Sequence, residues 1–454
     1  MTGQQNQHDK YKRLIKFSAA AVILAAELLI YAFIWFRRYN PMLHHPFYRR
    51  GHWLILLLYG VLLLLFSSMY GALRVGLLRR GNLIYSQILT ITIVNVITYI
   101  EIMLMDMRLH SPMLILMVEA GEIIVIVLWA LLFHWLYARL FPPRQMLLVY
   151  GTRPAFHLME KMNSRDDKYI LTHAVNARVG VEEIMEEARH YDAVVIGDIP
   201  SHNRNRIMKE CYDLNIRTYT VPKLSDILLR SSDELNIFDS PLYLSRNDGL
   251  AIEQELVKRL GDILVSLLML LVSSPFFLII MLLIKLNDGG PVFYKQRRLT
   301  KDGQEFYIYK FRTMVVDAEK QSGPRLAGED DPRITRVGRF LRACRMDELP
   351  QLLNILRGEM SMVGPRPERP ELAAEIEKEI PEFSYRLKVK AGLTGYAQVY
   401  GKYNTTSYDK LKLDLTYIRN YSVLLDIKLI LMTPKVLFLK ESTEGVEDNY
   451  VDRK

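Results

Sequence analysis

Two adjacent acidic residues, Asp347 and Glu348, are the first candidates for chemistry in this sequence. An ionised carboxylate is a competent nucleophile for phosphorus. Leucines follow the pair at helical spacing and Gly358 stops the pattern, so the sequence predicts that the acids lie in the first turn of a helix. The helix dipole would keep both carboxylates ionised there. Helix capping is the structural alternative, since it also explains an acidic first turn.

Basic residues on the flanking segments could bind a phosphorylated substrate. The alternation over 306–316 predicts a strand with Lys310 and Arg312 on one face, a spacing that suits a diphosphate. A solvated basic strand edge is the alternative. Further along the chain, Pro365 and Pro367 restrict the backbone on both sides of Arg366, which would pre-orient its guanidinium for phosphate or uracil recognition.

Arginines recur at every third residue before the acids and predict an amphipathic helix. Apolar residues lie between them, as is typical of a surface helix on anionic lipid. One arginine of this stripe could also reach a substrate phosphate. The stripe consists of Arg333, Arg336, Arg339, Arg342 and Arg345.

Long apolar runs must position these groups. The chain has 454 residues, of which 50% are hydrophobic, and five of its runs approach the length of about 20 residues that crosses a bilayer. The sequence therefore predicts an integral membrane protein, and it shows no cleavable signal peptide. The runs cover approximately residues 15–36, 53–73, 83–105, 113–140 and 263–284.

The net charge of +9 requires acidic partners. For a chain anchored in a membrane, anionic lipid headgroups and phosphorylated substrates are better candidates than nucleic acid. The two cysteines, Cys211 and Cys344, lie far apart in the sequence and lack metal-ligand spacing. They predict neither a disulfide framework nor a zinc site, which suits a reducing compartment.

The sequence predicts three domains, at residues 1–142, 143–248 and 249–454. Basic residues around the first four runs favour a four-helix transmembrane block with both ends inside the cell, so that everything after Pro142 is cytoplasmic. Residues 143–248 alternate strands with helices and predict a Rossmann-like α/β domain with a parallel sheet. The predicted strands cover 146–151, 192–198 and 216–222, and the predicted helices cover 154–163 and 204–214. The first turn of this domain, GTRPA at 151–155, is not G-x-G-x-x-G, so we expect a structural or regulatory role instead of dinucleotide binding.

The fifth run, near 252–286 with its flanks, predicts a membrane helix that enters and leaves on one side. Pro275 at its middle removes a backbone donor and predicts a kink, and Ser274 could bond the carbonyl that the proline frees. Basic residues at both ends suit a re-entrant helix. An ordinary kinked spanning helix is the alternative.

Four motifs, in this order, resemble the bacterial sugar transferases, which are monotopic phosphoglycosyl transferases. They are KFRTM at 310–314, DELPQLLN at 347–354, MSMVGPRP at 360–367 and AGLTGYAQ at 391–398. The resemblance covers about 255–440. With the preceding four-helix block and α/β domain, the chain resembles the long, undecaprenyl-phosphate hexose-1-phosphate transferase form of the family.

The resemblance implies a role for individual residues. Asp347 corresponds to the nucleophile, and Glu348 to the neighbouring acid that helps to hold Mg²⁺. Both acids are therefore candidate metal ligands. Other positions correspond to a re-entrant helix with a basic, headgroup-facing entry: Lys258, Arg259, Asp262, Ser274 and Pro275. The substrate-binding candidates are Lys310, Arg312, Arg342, Pro365, Arg366, Pro367, Lys390 and Asp414. Lys390 stands where some members have arginine, and Ala391 where many have proline.

The resemblance also implies the reaction and its partners. Hexose-1-phosphate would pass from a UDP-hexose to undecaprenyl phosphate through a covalent aspartyl-phosphosugar intermediate, with release of UMP. This step begins capsule, exopolysaccharide or O-antigen synthesis. The implied location is the bacterial inner membrane, with membrane lipids as partners, the catalytic domain on the cytoplasmic face, and a homodimer possible.

Two alternatives remain at this point. A membrane-bound nucleotide-sugar dehydratase would need a glycine fingerprint that the sequence lacks, although YDKLK at 408–412 fits its second motif. A non-catalytic scaffold for polysaccharide assembly would not need the acid pair. No residue identifies the hexose.

Overall fold

The computed structural model describes residues 11–151, 156–235, 239–245, 249–316, 331–402 and 405–437. The chain divides into two compact units, residues 1–223 and 224–454. This boundary differs from the expected one at 248/249, because the helix and the strand pair after residue 223 pack with the second unit. The three-domain division stays a prediction.

The first unit begins with four long apolar helices. Each is long and apolar enough to cross a membrane, by length and composition. Exposed leucines cover their outer faces, whereas Tyr59 is buried and bonds to Glu122 and Asn95 inside the bundle. The apolar helical region is therefore confirmed, while its orientation stays a prediction. The helices are α1 (Lys12–Ile34, continued by helical turns to Met42), α2 (Gly51–Tyr70), α3 (Arg80–Asp106) and α4 (Met113–Leu140).

An α/β layer follows in the same unit. Its strands are all parallel and stand in the order β2-β1-β3-β4. This confirms the expected parallel sheet, but it contains a strand and a helix that the sequence did not predict, β2 and α6. The predicted turn at 152–155 lies outside the described residues. The elements are β1 (Arg144–Tyr150), α5 (Phe156–Asn163), β2 (Tyr169–Asn176), α6 (Val181–Ala188), β3 (Ala193–Ile196), α7 (Ser201–Asp213) and β4 (Arg217–Thr220).

The second unit opens with a small antiparallel pair and a very long helix, α9. The elements are α8 (Leu224–Arg230), β5 (Asp233–Leu235), β6 (Leu242–Leu244) and α9 (Ile252–Asp288). The 37 residues of α9 extend over about 55 Å, which exceeds the hydrocarbon core of about 30 Å.

Helical structure in α9 runs without interruption through Pro275. Proline has no N–H for the carbonyl of Leu271, and the hydroxyl of Ser274 donates to that carbonyl instead, at 2.8 Å. The predicted hydrogen bond of Ser274 is therefore present. Apolar side chains near this point are exposed, among them Val272 and Phe276. The re-entrant path itself stays a prediction.

Both ends of α9 pack on the remainder of the unit. The N-terminal part buries Lys258, Asp262 and Ser266, and the C-terminal part buries Ile280 and Ile284. The last two share an apolar cluster with a strand and a helix that flank the acid pair. The long helix thus forms the support on which the site is built.

The remaining elements are short and surround this helix. β7 and β8 form an antiparallel pair, and β9 and β10 a parallel pair. The elements are β7 (Phe293–Leu299), β8 (Glu305–Phe311), α10 (Arg336–Ala343), α11 (Gln351–Arg357), β9 (Ser361–Val363), α12 (Pro370–Glu379), β10 (Gly392–Thr394), α13 (Tyr396–Tyr400), α14 (Ser407–Arg419) and α15 (Val423–Leu437).

Candidate active site

The two acids lie in a single 3₁₀ turn, Met346–Glu348, and not in the first turn of α11 as predicted. Arg345 precedes this turn with a left-handed backbone, φ 55°. Pro350 accounts for the difference, because it has no N–H for the carbonyl of Met346, which instead accepts from the Leu349 N–H at 3.3 Å in a 3₁₀ hydrogen bond. The acids are therefore presented on a tight connection between α10 and α11.

Glu348 is held by two cations from different parts of the chain. Lys310 of β8 donates to its Oε1 at 2.8 Å, and Arg366 donates to the same oxygen at 3.0 Å. Burial opposes ionisation of Glu348, but the charges of Lys310 and Arg366 outweigh it and hold the pKa of that carboxyl well below its usual range. The structure thus brings three of the predicted site residues together around one ionised carboxylate.

Asp347 is buried beside this cluster, with 8% of its surface exposed. Its Oδ1 has no hydrogen-bond partner among the described residues. Burial raises the pKa of Asp347; the charge of Lys310 opposes that shift and the charge of Glu348 adds to it. A buried carboxylate oxygen without a donor is costly unless a ligand or a positive group completes it.

Arg342 approaches the acids from the last turn of α10. Its Nε donates to the hydroxyl of Thr313 at 2.9 Å, and its charge acts on Asp347. The helix starts only at Arg336, after Thr335 accepts the Gly338 N–H as its N-terminal cap. The predicted arginine stripe is therefore shorter than expected.

The two ends of that stripe leave the helix. Arg333 lies before α10 and forms an ion pair with Asp331, and Arg345 occupies the left-handed position after it. Only the three central arginines lie on the helix, at Arg336, Arg339 and Arg342.

Arg312 does not share a strand face with Lys310. The strand β8 ends at Phe311, so the predicted strand over 306–316 is too long. The guanidinium of Arg312 instead binds the carboxylate of Asp288 and donates to the carbonyl of Pro291 at 2.7 Å. These contacts close the turn after α9. A substrate-binding role for Arg312 stays a prediction that its contacts do not favour.

Backbone carbonyls of the Pro-Arg-Pro loop accept hydrogen bonds from three other segments. The carbonyl of Pro365 accepts from the Gly392 N–H at 2.9 Å. The carbonyl of Pro367 accepts from Arg298 at 3.0 Å, and that of Arg366 accepts from Arg386 at 3.0 Å. Because the backbone carries these bonds, the side chain of Arg366 is left to face the acids.

Asp414 stands behind this loop and does not contact the acid pair. It is 1% exposed and forms an ion pair of 2.8 Å with Arg386. Burial raises the pKa of Asp414 to about 6, against the opposing charge of Arg386. Sequence reasoning missed Arg386 and Arg298, since neither belongs to a motif or a periodic pattern. Asp414 therefore reaches the site through Arg386 and the loop backbone.

Lys390 lies on another side of the unit. It is half-buried, and burial followed by the charge of Arg259 lowers its pKa. Asp262 and Glu255 of α9 are the acids that act on it. The structure thus places this predicted phosphate ligand near the N-terminal part of α9, and its role stays a prediction.

The charged residues at the entry of α9 bind protein groups, and their expected position at the lipid headgroups stays a prediction. Lys258 pairs with Asp426 at 2.6 Å, with both side chains largely buried. Arg259 donates to the last carbonyls of α11, at 2.5 and 2.7 Å. Asp262 accepts from the Ser361 hydroxyl and the Met362 N–H. These bonds fasten α9 to the unit, because a buried charge is tolerated only when it is paired.

The candidate metal ligands of this site are the two adjacent carboxylates, Asp347 and Glu348. Among the described residues, no group of three or more His, Cys, Asp or Glu is placed to hold a metal ion. Mg²⁺ is commonly bound by only one or two carboxylates, with substrate phosphates and water completing its shell. The unpaired Oδ1 of Asp347 next to Glu348 fits such an ion.

Comparison of the sequence with known proteins shows the family to which this chain belongs. The model of the bacterial sugar transferase family matches residues 253–440. The exopolysaccharide production protein ExoY of Sinorhizobium fredii is 40% identical over 190 residues, which cover 39% of this chain and 83% of that protein. The chain belongs to the bacterial sugar transferase family. The acid pair, its cations and the Pro-Arg-Pro loop all lie within the matched residues.

Longer relatives in the family match a larger part of the chain. The UDP-N-acetylgalactosamine-undecaprenyl-phosphate N-acetylgalactosaminephosphotransferase of Aeromonas hydrophila is 34% identical over 264 residues, 55% of this chain and 60% of that protein. The undecaprenyl-phosphate glucose phosphotransferase of Komagataeibacter xylinus is 36% identical over 268 residues, 56% and 50% of the two chains. The match thus spans about half the length of these two relatives.

Proposed function

We propose that this chain transfers a sugar-1-phosphate from a UDP-sugar to undecaprenyl phosphate and releases UMP. The printed activities of relatives on undecaprenyl phosphate support the acceptor, and their different sugars leave the donor sugar open. Five helices long and apolar enough to cross a membrane suit a lipid-linked acceptor. The reaction would begin polysaccharide synthesis at the inner membrane, on its cytoplasmic face.

The observation that carries the proposal is the unequal environment of the two acids. Glu348 is ionised and engaged by Lys310 and Arg366, whereas Oδ1 of Asp347 is buried without a hydrogen bond among the described residues. A carboxylate oxygen that accepts no hydrogen bond can attack phosphorus without first breaking one. We therefore assign Asp347 as the nucleophile and Glu348 as its positioning neighbour.

The first step would form a covalent intermediate. Oδ1 of Asp347 attacks the β-phosphorus of the UDP-sugar, the bond from that phosphorus to the bridging oxygen breaks, and the bond electrons leave with UMP. Lys310 and Arg366 supply positive charge where a diphosphate would otherwise repel the carboxylate. The product is a phosphosugar ester on Asp347.

The second step would regenerate the carboxylate. A phosphate oxygen of undecaprenyl phosphate attacks the same phosphorus, the bond to Oδ1 breaks, and the lipid leaves as its diphosphate-linked sugar. Because the acceptor phosphate lies at the headgroup plane, the acids must also be held there. The packing of both ends of α9 on the unit supports that placement.

Asp347 and Glu348 would also hold Mg²⁺, as their fit to a two-carboxylate site suggests. When bound, that ion supplies further positive charge to the diphosphate. Asp347 and Glu348 would share its coordination with the substrate phosphates, while Lys310 keeps Glu348 in place.

The proposal is tested with purified full-length protein, undecaprenyl phosphate and a panel of UDP-sugars, by measuring UMP release. Asp347→Asn keeps the shape but removes the nucleophile, so turnover should fall by at least about 1,000-fold. The turnover of the Glu348→Gln variant should fall by about 100-fold, because Lys310 and Arg366 lose the negative charge that they share. Glu379→Gln, on the exposed end of α12, is the matched control and should keep normal turnover.

A mass measurement tests the covalent step separately. Without acceptor, the wild-type chain should gain the mass of one phosphosugar, and the Asp347→Asn chain should not. Near-normal UMP release by the asparagine variant would sink the covalent mechanism. Normal polysaccharide output in cells that carry it would instead favour the non-catalytic scaffold.

A further inference from the structure

Four cations of the first unit gather where its helical bundle meets its α/β layer. Lys12 and Lys16 belong to the first turns of α1, and Arg165 and Lys168 lie just before β2. We call these four residues the basic junction. The proposed transfer reaction makes no use of any of them.

Lys12 and Lys16 lie on one face of α1, four residues apart. Their ammonium groups stand over aromatic rings at the end of α4. Lys12 is 4.8 Å from the ring centre of Phe141, and Lys16 is 5.8 Å from that of Tyr137. Aromatic faces of this kind attract a cation and hold it in place.

Arg165 and Lys168 reach the same region from the α/β layer. Both donate to one backbone oxygen, the carbonyl of Leu77, at 2.8 Å each. Gly76, with φ 66°, lies directly against the ring of Tyr137, where a Cβ would come within 2.3 Å of the ring. This close packing ties the loop before α3 to the end of α4 and holds the four cations together.

The charges of the junction repel one another. Burial, together with the charges of Arg165, Lys16 and Lys12, lowers the pKa of Lys168 to about 8 against the opposing charge of Asp167. The opposing acid, Asp167, is bound through both oxygens to Arg165, at 2.8 Å each. A fixed set of like charges of this kind favours an added anion.

We propose that the basic junction binds the headgroup phosphate of an anionic phospholipid. The position distinguishes a lipid from a soluble anion, because Lys12 and Lys16 lie at the start of one apolar helix, while Arg165 and Lys168 bind the loop before another. Leu14 and Phe17 of α1 and Trp135 of α4 are more than half exposed next to them. Acyl chains can therefore cover these side chains while the phosphate meets the lysines, the arrangement by which basic pockets at membrane helix ends hold anionic lipids.

Lipid titration of the full-length protein in detergent tests this proposal. Phosphatidylglycerol should raise the melting temperature, and phosphatidylcholine with the same acyl chains should not. Lys12→Gln with Lys16→Gln should weaken the apparent affinity for phosphatidylglycerol by about 25-fold, since each basic side chain near an anionic surface contributes about fivefold.

Two control variants separate charge from folding. Lys12→Arg with Lys16→Arg keeps both charges and should respond to phosphatidylglycerol as the wild type does. Arg189→Gln with Lys209→Gln removes two exposed cations from the α/β layer and should also keep the response. An unchanged response of the glutamine pair at 12 and 16 overturns the proposal. An equal response of the wild type to inorganic phosphate overturns the choice of a lipid.

Discussion

Lys310 and Arg312 are two positions apart but bind different partners. Lys310 points to Glu348 from the end of β8, whereas Arg312 lies beyond the strand and binds Asp288. One cation thus lies at the acid pair, and the other closes the turn after α9. Residue type alone does not separate the two, because both are basic and lie in the same motif.

Replacing each of these cations by methionine should separate activity from stability. Lys310→Met should lower turnover by at least about 100-fold with little change in melting temperature, because Glu348 keeps Arg366. Arg312→Met should lower the stability by about 1–3 kcal/mol, because it removes the cation that binds Asp288 and the donor to the Pro291 carbonyl. UMP release and thermal unfolding are the measurements, with the exposed Arg297→Met as control. A loss of UDP-sugar affinity without loss of stability in Arg312→Met would restore its predicted binding role.

Asp414 acts at a distance from the acids, through Arg386 and the backbone of Arg366. Its folded-state pKa is raised to about 6 by burial, whereas an aspartate in an unfolded chain titrates near about 3.9. Folding therefore favours the protonated form. The stabilisation is fully present below about pH 4 and is lost as the pH rises through about 6.

Asp414→Asn should remove this dependence on pH. The wild-type protein should lose up to about 3 kcal/mol relative to the variant between pH 4 and 6, at about 1.4 kcal/mol for each pH unit. Melting temperatures of the two proteins over pH 4–7, in the same detergent, measure the effect. A constant difference across this range would show that Asp414 does not titrate there. Asp213→Asn, at the end of α7, serves as the control.

Among the elements, α9 organises the site. Its charged entry residues hold α11, β9 and α15, and its C-terminal part packs under β8 and α10. The Ser274 hydroxyl bonds the carbonyl that Pro275 leaves free, so the helix tolerates a proline in its apolar part. This chemistry suits a helix that bends within the membrane and returns.

Cysteine labelling tests that path. Glu253→Cys and Asn287→Cys place single thiols near the two ends of α9, after the natural Cys211 and Cys344 are replaced by serine. A re-entrant helix predicts that a membrane-impermeant maleimide labels both positions from the cytoplasmic face. Labelling from opposite faces would show a spanning helix. A third thiol, at Ser422, reports the side on which the acid-bearing unit lies.

On the scale of the whole molecule, the α/β layer of the first unit carries no assigned chemistry. The turn at 152–155 that would have to hold a pyrophosphate lies outside the described residues. Packing explains why residue 151 is a glycine, because a Cβ there would lie 2.4 Å from the carbonyl oxygen of Asp198. This glycine lets β1 and the end of β3 approach closely.

We therefore expect the purified full-length chain to contain no stoichiometric NAD. Extraction of the denatured protein followed by mass spectrometry of the nucleotides measures this directly. A dinucleotide-binding protein purified in the same way is the positive control. Bound cofactor in stoichiometric amount would contradict the expectation and revive the dehydratase alternative.

Patterns local in the sequence determined much of this protein. The long apolar runs predicted helices, because their length and composition suffice to cross a membrane as helices. Shorter apolar runs predicted the buried strands β1 and β3. The missed strand β2 lies at the sheet edge, where exposed positions interrupt the apolar pattern. The missed helix α6 carried a readable signal, since its buried residues stand at i, i+3, i+4 and i+7. The motif order identified the family without any structure.

Tertiary structure alone decided which charges meet. Glu348 lies 38 residues from Lys310 and 18 from Arg366, and Asp414 works through Arg386, which no motif marked. Lys258 and Asp426 are 168 residues apart, so the burial of Lys258 against this partner could not be predicted from local sequence. The physical reason is that a charge is recognisable from residue type, while its partner depends on chain segments that only folding brings within hydrogen-bond distance.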